Sequence, residues 1–377
     1  MEEYLPSLNF IDLKKQQETI KCEIDNAINK VLDHGKYIMG PEVLEFEEDL
    51  KKFTKSKYAI SCGNGTDAIT IALMSLGVKK NDVVFVPSFS YIASAETIVQ
   101  LGAIPFFIDV DKGTFNISLD SFKQAIIDVR KLSLKPSFLI PVELFGQPID
   151  FENIADVAEE NNIKIIVDSA QSFGAKYKDK RVGSYGHITT TSFFPAKPLG
   201  CYGDGGAIFT QNKILAQRIS SIRLHGKGEH KYDHVDIGVN SRLDTIQAAI
   251  LRVKIKIFEK ELEARQKIAE LYNSALSDYV ETPTILKGMK SAWAQYTLKI
   301  KNRDHVRKKL NELNIPTMIY YPIHISEQQA YKGFPRVSSG LPNSKSLTNS
   351  SLSLPMHPYL TDREVQYIAN EVIKLVS

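Results

Sequence analysis

Ile163-Lys-Ile-Ile-Val-Asp168-Ser-Ala-Gln171 runs from a block of branched apolar residues into an acid and an amide. Ile165, Ile166 and Val167 leave no polar side for solvent, which suits a strand buried on both faces. The same rhythm recurs to either side. Short apolar runs at 58–61, 83–86, 104–108, 138–142, 189–193 and 207–210 alternate with helical stretches. Such alternation predicts an α/β large domain, a mainly parallel seven-stranded sheet covered by helices. Upstream, helical spacing covers 12–33, and Pro41 opens a helix to Phe53 whose Glu47–Lys51 and Glu48–Lys52 pairs are expected on its wet face. Downstream, Asp244 begins a long helix to about residue 273. A half-exposed strand at 293–300 and helices at 304–313 and 361–376 then predict a smaller C-terminal α+β domain. The expected division is 1–243 and 244–377. The Ser/Asn-rich stretch 338–353, interrupted by Pro342, is expected as an exposed loop.

Composition narrows the function. The 377 residues are 43% hydrophobic and 24% charged, ordinary values for a globular chain and not for a disordered one. Lys+Arg 47 against Asp+Glu 44 leaves +3, which makes no electrostatic case for nucleic acid or a membrane surface. No apolar run approaches the ~18 residues of a membrane span, and the acidic N-terminus lacks a signal-peptide core. A cytoplasmic location is therefore expected. Cys22, Cys62 and Cys201 are odd in number and far apart, against a disulfide framework or a cysteine zinc site. His230 and His234 are four apart, but Gly226, Gly228 and Asp233 point to a loop, and no metal is expected.

The chemistry concentrates after the sixth strand, in Ser192-Phe-Phe-Pro-Ala-Lys197-Pro-Leu-Gly-Cys-Tyr-Gly-Asp-Gly-Gly206. Lys197 lies among apolar residues and prolines; desolvation lowers a lysine's pKa and makes it a usable amine nucleophile. An exposed lysine on a tight turn would read similarly. Asp168 ends a buried strand, where open α/β sheets bind ligands, although an acid there also serves as a helix cap. Together, a lysine and an acid of this kind match what pyridoxal phosphate requires: a Schiff-base amine and a carboxylate that keeps the pyridine nitrogen protonated. Ser61-Cys-Gly63-Asn-Gly65-Thr66-Asp-Ala68 offers free N–H groups and a hydroxyl at a helix start, suited to a phosphate, or is simply a turn. Tyr91, after another strand, is placed to stack on a flat cofactor or to pack in the core. The four elements fall in the order of one site on one sheet edge.

These motifs, with Gly40-Pro41 and Leu354-Pro-Met-His-Pro-Tyr359 at either end, resemble the DegT-type sugar-nucleotide aminotransferases of the aspartate aminotransferase fold (pyridoxal phosphate fold type I). The resemblance implies Lys197 as Schiff-base lysine and proton shuttle, Asp168 at the pyridine nitrogen and Gln171 at the phenolic oxygen. It places Gly65, Thr66 and Ser192 at the phosphate and Tyr91 on the ring. Ile237-Gly-Val-Asn240-Ser-Arg242 is similar to a segment whose asparagine reaches the neighbouring subunit's phosphate, which implies a homodimer with shared sites. Lysine rather than histidine at 197 favours transamination, with L-glutamate as donor and the ketone of a nucleotide-linked sugar as acceptor. The similarity is greatest to enzymes acting on UDP-linked 2-acetamido-3-oxo hexoses or hexuronates, for surface polysaccharide or lipopolysaccharide. Alternatives are a dTDP- or UDP-linked 4-keto sugar and a non-enzymatic sensor or scaffold on the same fold. Arg223, His225 and the partner's Tyr320 and Tyr321 are the expected walls of the sugar site; Tyr320-Tyr321 stands where the resemblance implies a His-Tyr pair.

Overall fold

The structure is a computed structural model that describes residues 8–230 and 232–377. Along the chain run β1 (Tyr58–Cys62), β2 (Val83–Pro87), β3 (Ile104–Ile108), β4 (Pro136–Leu139) and β5 (Lys164–Asp168). A small hairpin, β6 (Lys176–Tyr177) and β7 (Lys180–Arg181), precedes β8 (Ile188–Ser192) and β9 (Gly206–Thr210). Later come β10 (Met289–Lys290), β11 (Tyr296–Lys299) and β12 (Ser351–Leu354). Seven of these form the central sheet in the order β1-β9-β8-β5-β4-β2-β3. β9 runs antiparallel to both its neighbours, and the pairs β8–β5, β5–β4, β4–β2 and β2–β3 are parallel. The expected mainly parallel, seven-stranded α/β architecture is thus present.

One strand end and one helix differ from the sequence reading for local reasons. β4 stops before Pro141, which has no N–H to continue the ladder; its carbonyl instead accepts from Asp168 N–H at 2.9 Å, and Val142 bridges Asp168. The 12–33 helix is two helices, Leu13–Thr19 and Lys21–His34. They break at Ile20, which leaves helical geometry (φ −128°, ψ 19°) and packs with Ile24, Ile250 and Val253.

The 338–353 stretch is not an exposed loop. Pro342–Ser350 is a helix with proline in its first turn, and 351–354 is β12, fully buried and antiparallel to β11. The cap that stabilises this helix is remote in sequence. Asp109, just past β3, accepts from Asn343 N–H (2.9 Å), Ser344 N–H (2.8 Å) and Ser344 Oγ (2.6 Å), an acid at a helix N-terminus. Leu347 then packs against Phe89, Val110 and Phe145.

The Thr245–Leu276 helix has 32 residues and serves two cores. Its first half places Leu251, Phe258 and Leu262 in the core beneath the sheet, with Phe258 stacked on Phe173 at 5.9 Å. Its second half places Ile268, Tyr272 and Leu276 in a second core with Tyr296, Leu298, Leu352, Ile368 and Val372. The β11–β12 pair and helices Arg303–Glu312 and Asp362–Val376 make up the rest of that α+β unit. The helix thus connects the two cores, and Ile325, Tyr331 and Leu341 also return to the first. Among the described residues, no helix is long and apolar enough to cross a membrane.

Candidate active site

The parallel strands deliver their C-terminal ends to one edge of the sheet, where several of the predicted residues lie. Asp168, the last residue of β5, is buried. Its Oδ2 accepts from Ser94 Oγ at 3.1 Å and its Oδ1 from Ala170 N–H at 3.1 Å. Burial raises its pKa, opposed by the Ala170 N–H, the charge of Lys197 and the Ser94 hydroxyl. Lys197 shows the complementary shift: burial lowers its pKa and Asp168 raises it. Each is therefore the other's electrostatic neighbour.

The lysine's loop is pinned from below. Lys197 N–H donates to Phe194 C=O at 2.9 Å and Tyr202 N–H to Gln247 Oε1 at 2.8 Å. Lys254, on the long helix and fully buried, donates from Nζ to Gly200 C=O at 2.5 Å and lies over the Tyr202 ring at 4.9 Å. Gly200 has no room for a side chain, since a Cβ there would lie 2.4 Å from Pro195 O.

The turn expected to hold a phosphate is equally close-packed. Asn64 caps the Gly65–Leu76 helix by accepting from Asp67 N–H at 2.8 Å. That leaves the Gly65 and Thr66 N–H groups at the positive helix end without acceptors among the described residues. Ser192, the last residue of β8, stands against them: a Cβ on Gly65 would fall 2.6 Å from Ser192 Cβ and 3.1 Å from its Oγ. Gly63 N–H donates to Ser241 Oγ at 2.9 Å, which brings the segment carrying Asn240 beside the cradle. Asn240 itself is exposed.

Gln171 is oriented by its neighbours. Its Oε1 accepts from Phe145 N–H at 2.7 Å, so its Nε2 is the end turned to the site, where it donates to Tyr321 OH at 3.2 Å. Tyr91 is 56% exposed at the sheet edge, its ring centroid 6.3 Å from that of Tyr321. Tyr321 and Tyr320 were expected from a partner subunit. The structure instead sets Tyr321 against Gln171, Tyr91 and Phe89 of its own chain, with Tyr320 packed beside it.

A free, substrate-facing Arg223 is corrected. The residue is 5% exposed and its Nη1 donates to Glu47 Oε1 (2.5 Å), Ser61 C=O (2.6 Å) and Ser61 Oγ (3.3 Å). The Glu47–Lys51 helix pair is corrected with it, because Glu47 turns inward to this arginine and to Ser61 N–H. The guanidinium in this segment that makes no ion pair among the described residues is that of the half-buried Arg242. His225 is exposed and its carbonyl accepts from His234 Nδ1 at 2.9 Å, which ties the loop to itself. Among the described residues no group of three His, Cys, Asp or Glu could hold a metal ion.

The comparisons with known proteins agree with this geometry. Residues 18–373 match the model of the DegT/DnrJ/EryC1/StrS aminotransferase family. The chain belongs to that family. It is 46% identical over 362 residues to the UDP-2-acetamido-2-deoxy-3-oxo-D-glucuronate aminotransferase of Pseudomonas aeruginosa, covering 96% of this chain and 98% of that one. It is 38% identical over 366 residues to a pleiotropic regulatory protein of Geobacillus stearothermophilus, covering 96% of each. Among solved structures, a DegT DnrJ EryC1 StrS aminotransferase from Brucella abortus superposes with a TM-score of 0.97 at 45% identity, over 98% of this chain and all of that one.

Within this aminotransferase site, two buried charges escaped the sequence reading. Lys254 was hidden in a long helix rich in charge, where one lysine looks like the next. Glu143 follows the apolar run at 138–142 and was open to notice, as an acid in an otherwise apolar stretch.

Proposed function

We propose that the chain is a pyridoxal phosphate-dependent transaminase that moves an amino group from L-glutamate to the 3-ketone of a UDP-linked 2-acetamido-3-oxo hexose or hexuronate. The observation that carries the chemistry is the Lys197–Asp168 pair beside the Gly65–Thr66–Ser192 cradle. The residues fit the cofactor: a close-packed helix start with free N–H groups for its phosphate, and a buried acid with an amine beside it. When bound, pyridoxal phosphate supplies a protonated ring that withdraws electrons from the carbon losing its proton.

The chain's own residues do the rest. Gly65 and Thr66 N–H groups and the Ser192 hydroxyl hold the phosphate. Asp168 keeps the pyridine nitrogen protonated through a charge-assisted hydrogen bond. Gln171, its oxygen committed to Phe145, directs Nε2 to the phenolic oxygen. Tyr91 flanks the ring. Lys197, whose burial favours the neutral amine, attaches the cofactor and carries protons at Nζ in both half-reactions. Asn240 of one protomer faces the phosphate held by the other in a homodimer with shared sites. Arg242 takes the place first given to Arg223, as the cation for the substrate's diphosphate or a C6 carboxylate, with His225 and Tyr320–Tyr321 along the cleft.

Support for the sugar is the 46% identity to an enzyme named for a UDP-linked 3-oxo-glucuronate. A cytoplasmic role in making surface polysaccharide, including lipopolysaccharide, belongs to the same proposal; the three cysteines are unpaired, as a reducing compartment leaves them. The test is to incubate the enzyme with L-glutamate and, in parallel, UDP-linked 3-oxo and dTDP-linked 4-keto substrates, following 2-oxoglutarate and identifying the amino sugar by NMR. Preference for the 4-keto substrate overturns the sugar assignment alone. No 2-oxoglutarate with any acceptor overturns the reaction.

A further inference from the structure

Glu143 is fully buried, and no cation pairs with it among the described residues. It lies directly behind the turn that bears the site's acid and amide. Its Oε2 accepts from Ser172 Oγ, its Oε1 from Tyr185 OH at 2.5 Å and, at 3.3 Å, from Ile149 N–H. Its own N–H donates to Asp168 C=O at 3.0 Å, and two residues on, Phe145 N–H holds the Gln171 side chain at 2.7 Å. Residues 143–145 thus grip the turn 168–172 at both ends and at its functional amide.

We propose that Glu143 is a positioning residue of the transamination site, which fixes the register of Asp168 and Gln171 against the cofactor ring and passes its own ionisation to them. The proposal rests on the transaminase reading above. Burial raises the Glu143 pKa to about 7, against the pull of the Ser172 and Tyr185 hydroxyls and the Ile149 N–H, and Asp168 raises it further. Tyr185 and Asp168 are the titratable groups that face it; the Tyr185 hydroxyl is held far above neutrality by its own burial and by Glu143. The carboxyl therefore changes charge in the working range of pH. In its ionised form it places a second negative charge behind Asp168, which tightens that residue's hold on the ring-nitrogen proton. Turnover should rise with pH through this ionisation.

Glu143→Gln conserves shape, and both hydroxyls can turn to suit the amide. The expected result is a fall in kcat of about tenfold, a sugar KM unchanged, and loss of the near-neutral ionisation from the kcat profile. Tyr185→Phe removes a donor to the carboxylate and should move the same ionisation up by about one pH unit. It also serves as the test if Glu143→Gln does not fold. A profile that superimposes on the wild type in either variant overturns the proposal. If the wild-type enzyme makes no 2-oxoglutarate from L-glutamate, the reaction assignment has failed instead, and the two failures are distinguished before any variant is compared.

Discussion

Gly65→Ala adds one methyl group at a close-packed point of the proposed phosphate cradle. Its Cβ would lie 2.6 Å from Ser192 Cβ. Ordinary carbon contacts need about 3.5–4.0 Å, so the helix start and the end of β8 must part by roughly 1 Å. Neither can yield by rotating a long side chain, because one partner is the helix backbone and the other a short serine on a central strand. Overpacking of this kind costs about 1–3 kcal/mol. The displaced groups are those that would bond the phosphate, and the cofactor's binding energy bears most of the loss. At 1.4 kcal/mol per factor of ten, affinity for pyridoxal phosphate should fall about ten- to a hundredfold. Titration of the apoprotein with pyridoxal phosphate, followed by absorbance, measures this directly, and circular dichroism confirms that the helices are retained. A folded variant that binds the cofactor as tightly as the wild type would refute the cradle.

Two further outcomes concern buried charge. Asp168→Asn should retain the Ser94 hydrogen bond while losing the charge, lowering kcat about 100- to 1,000-fold with cofactor affinity changed less; near-normal turnover in steady-state assays would remove Asp168 from the chemistry. His357 has its pKa lowered to about 4, first by burial and then by the charge of Arg265. A depressed histidine leaves stability whole above about pH 6.5 and erodes it as pH falls towards 4, by about 3 kcal/mol in all. Chemical denaturation across that range should show the slope, His357→Leu should flatten it, and an unaltered slope in the variant would assign the loss to other groups.

How far the sequence carries depends on the range of the interactions involved. The seven strands are legible because burial on both faces leaves a mark on consecutive residues, as in Ile165-Ile-Val167. The lysine, acid and glycine-turn motifs are legible for a related reason: each is a short segment whose peculiarity lies within itself. The Pro342–Ser350 helix was not, since its caps come from Asp109, more than two hundred residues earlier. Arg223 was misplaced because nothing near it names Glu47 or Ser61 as its partners. Tyr321 shows the same limit: its proximity to Gln171 of its own chain is a product of the second unit folding back over the sheet edge.

The long helix has a mechanical consequence. At 1.5 Å per residue its 32 residues make a rod of about 48 Å, one end wedged beneath the sheet and the other in the second core. Lys254 rivets this rod to the carbonyl of Gly200, three residues past Lys197. Any tilt of the second unit about the sheet would bear on that contact, and so on the loop that carries Lys197.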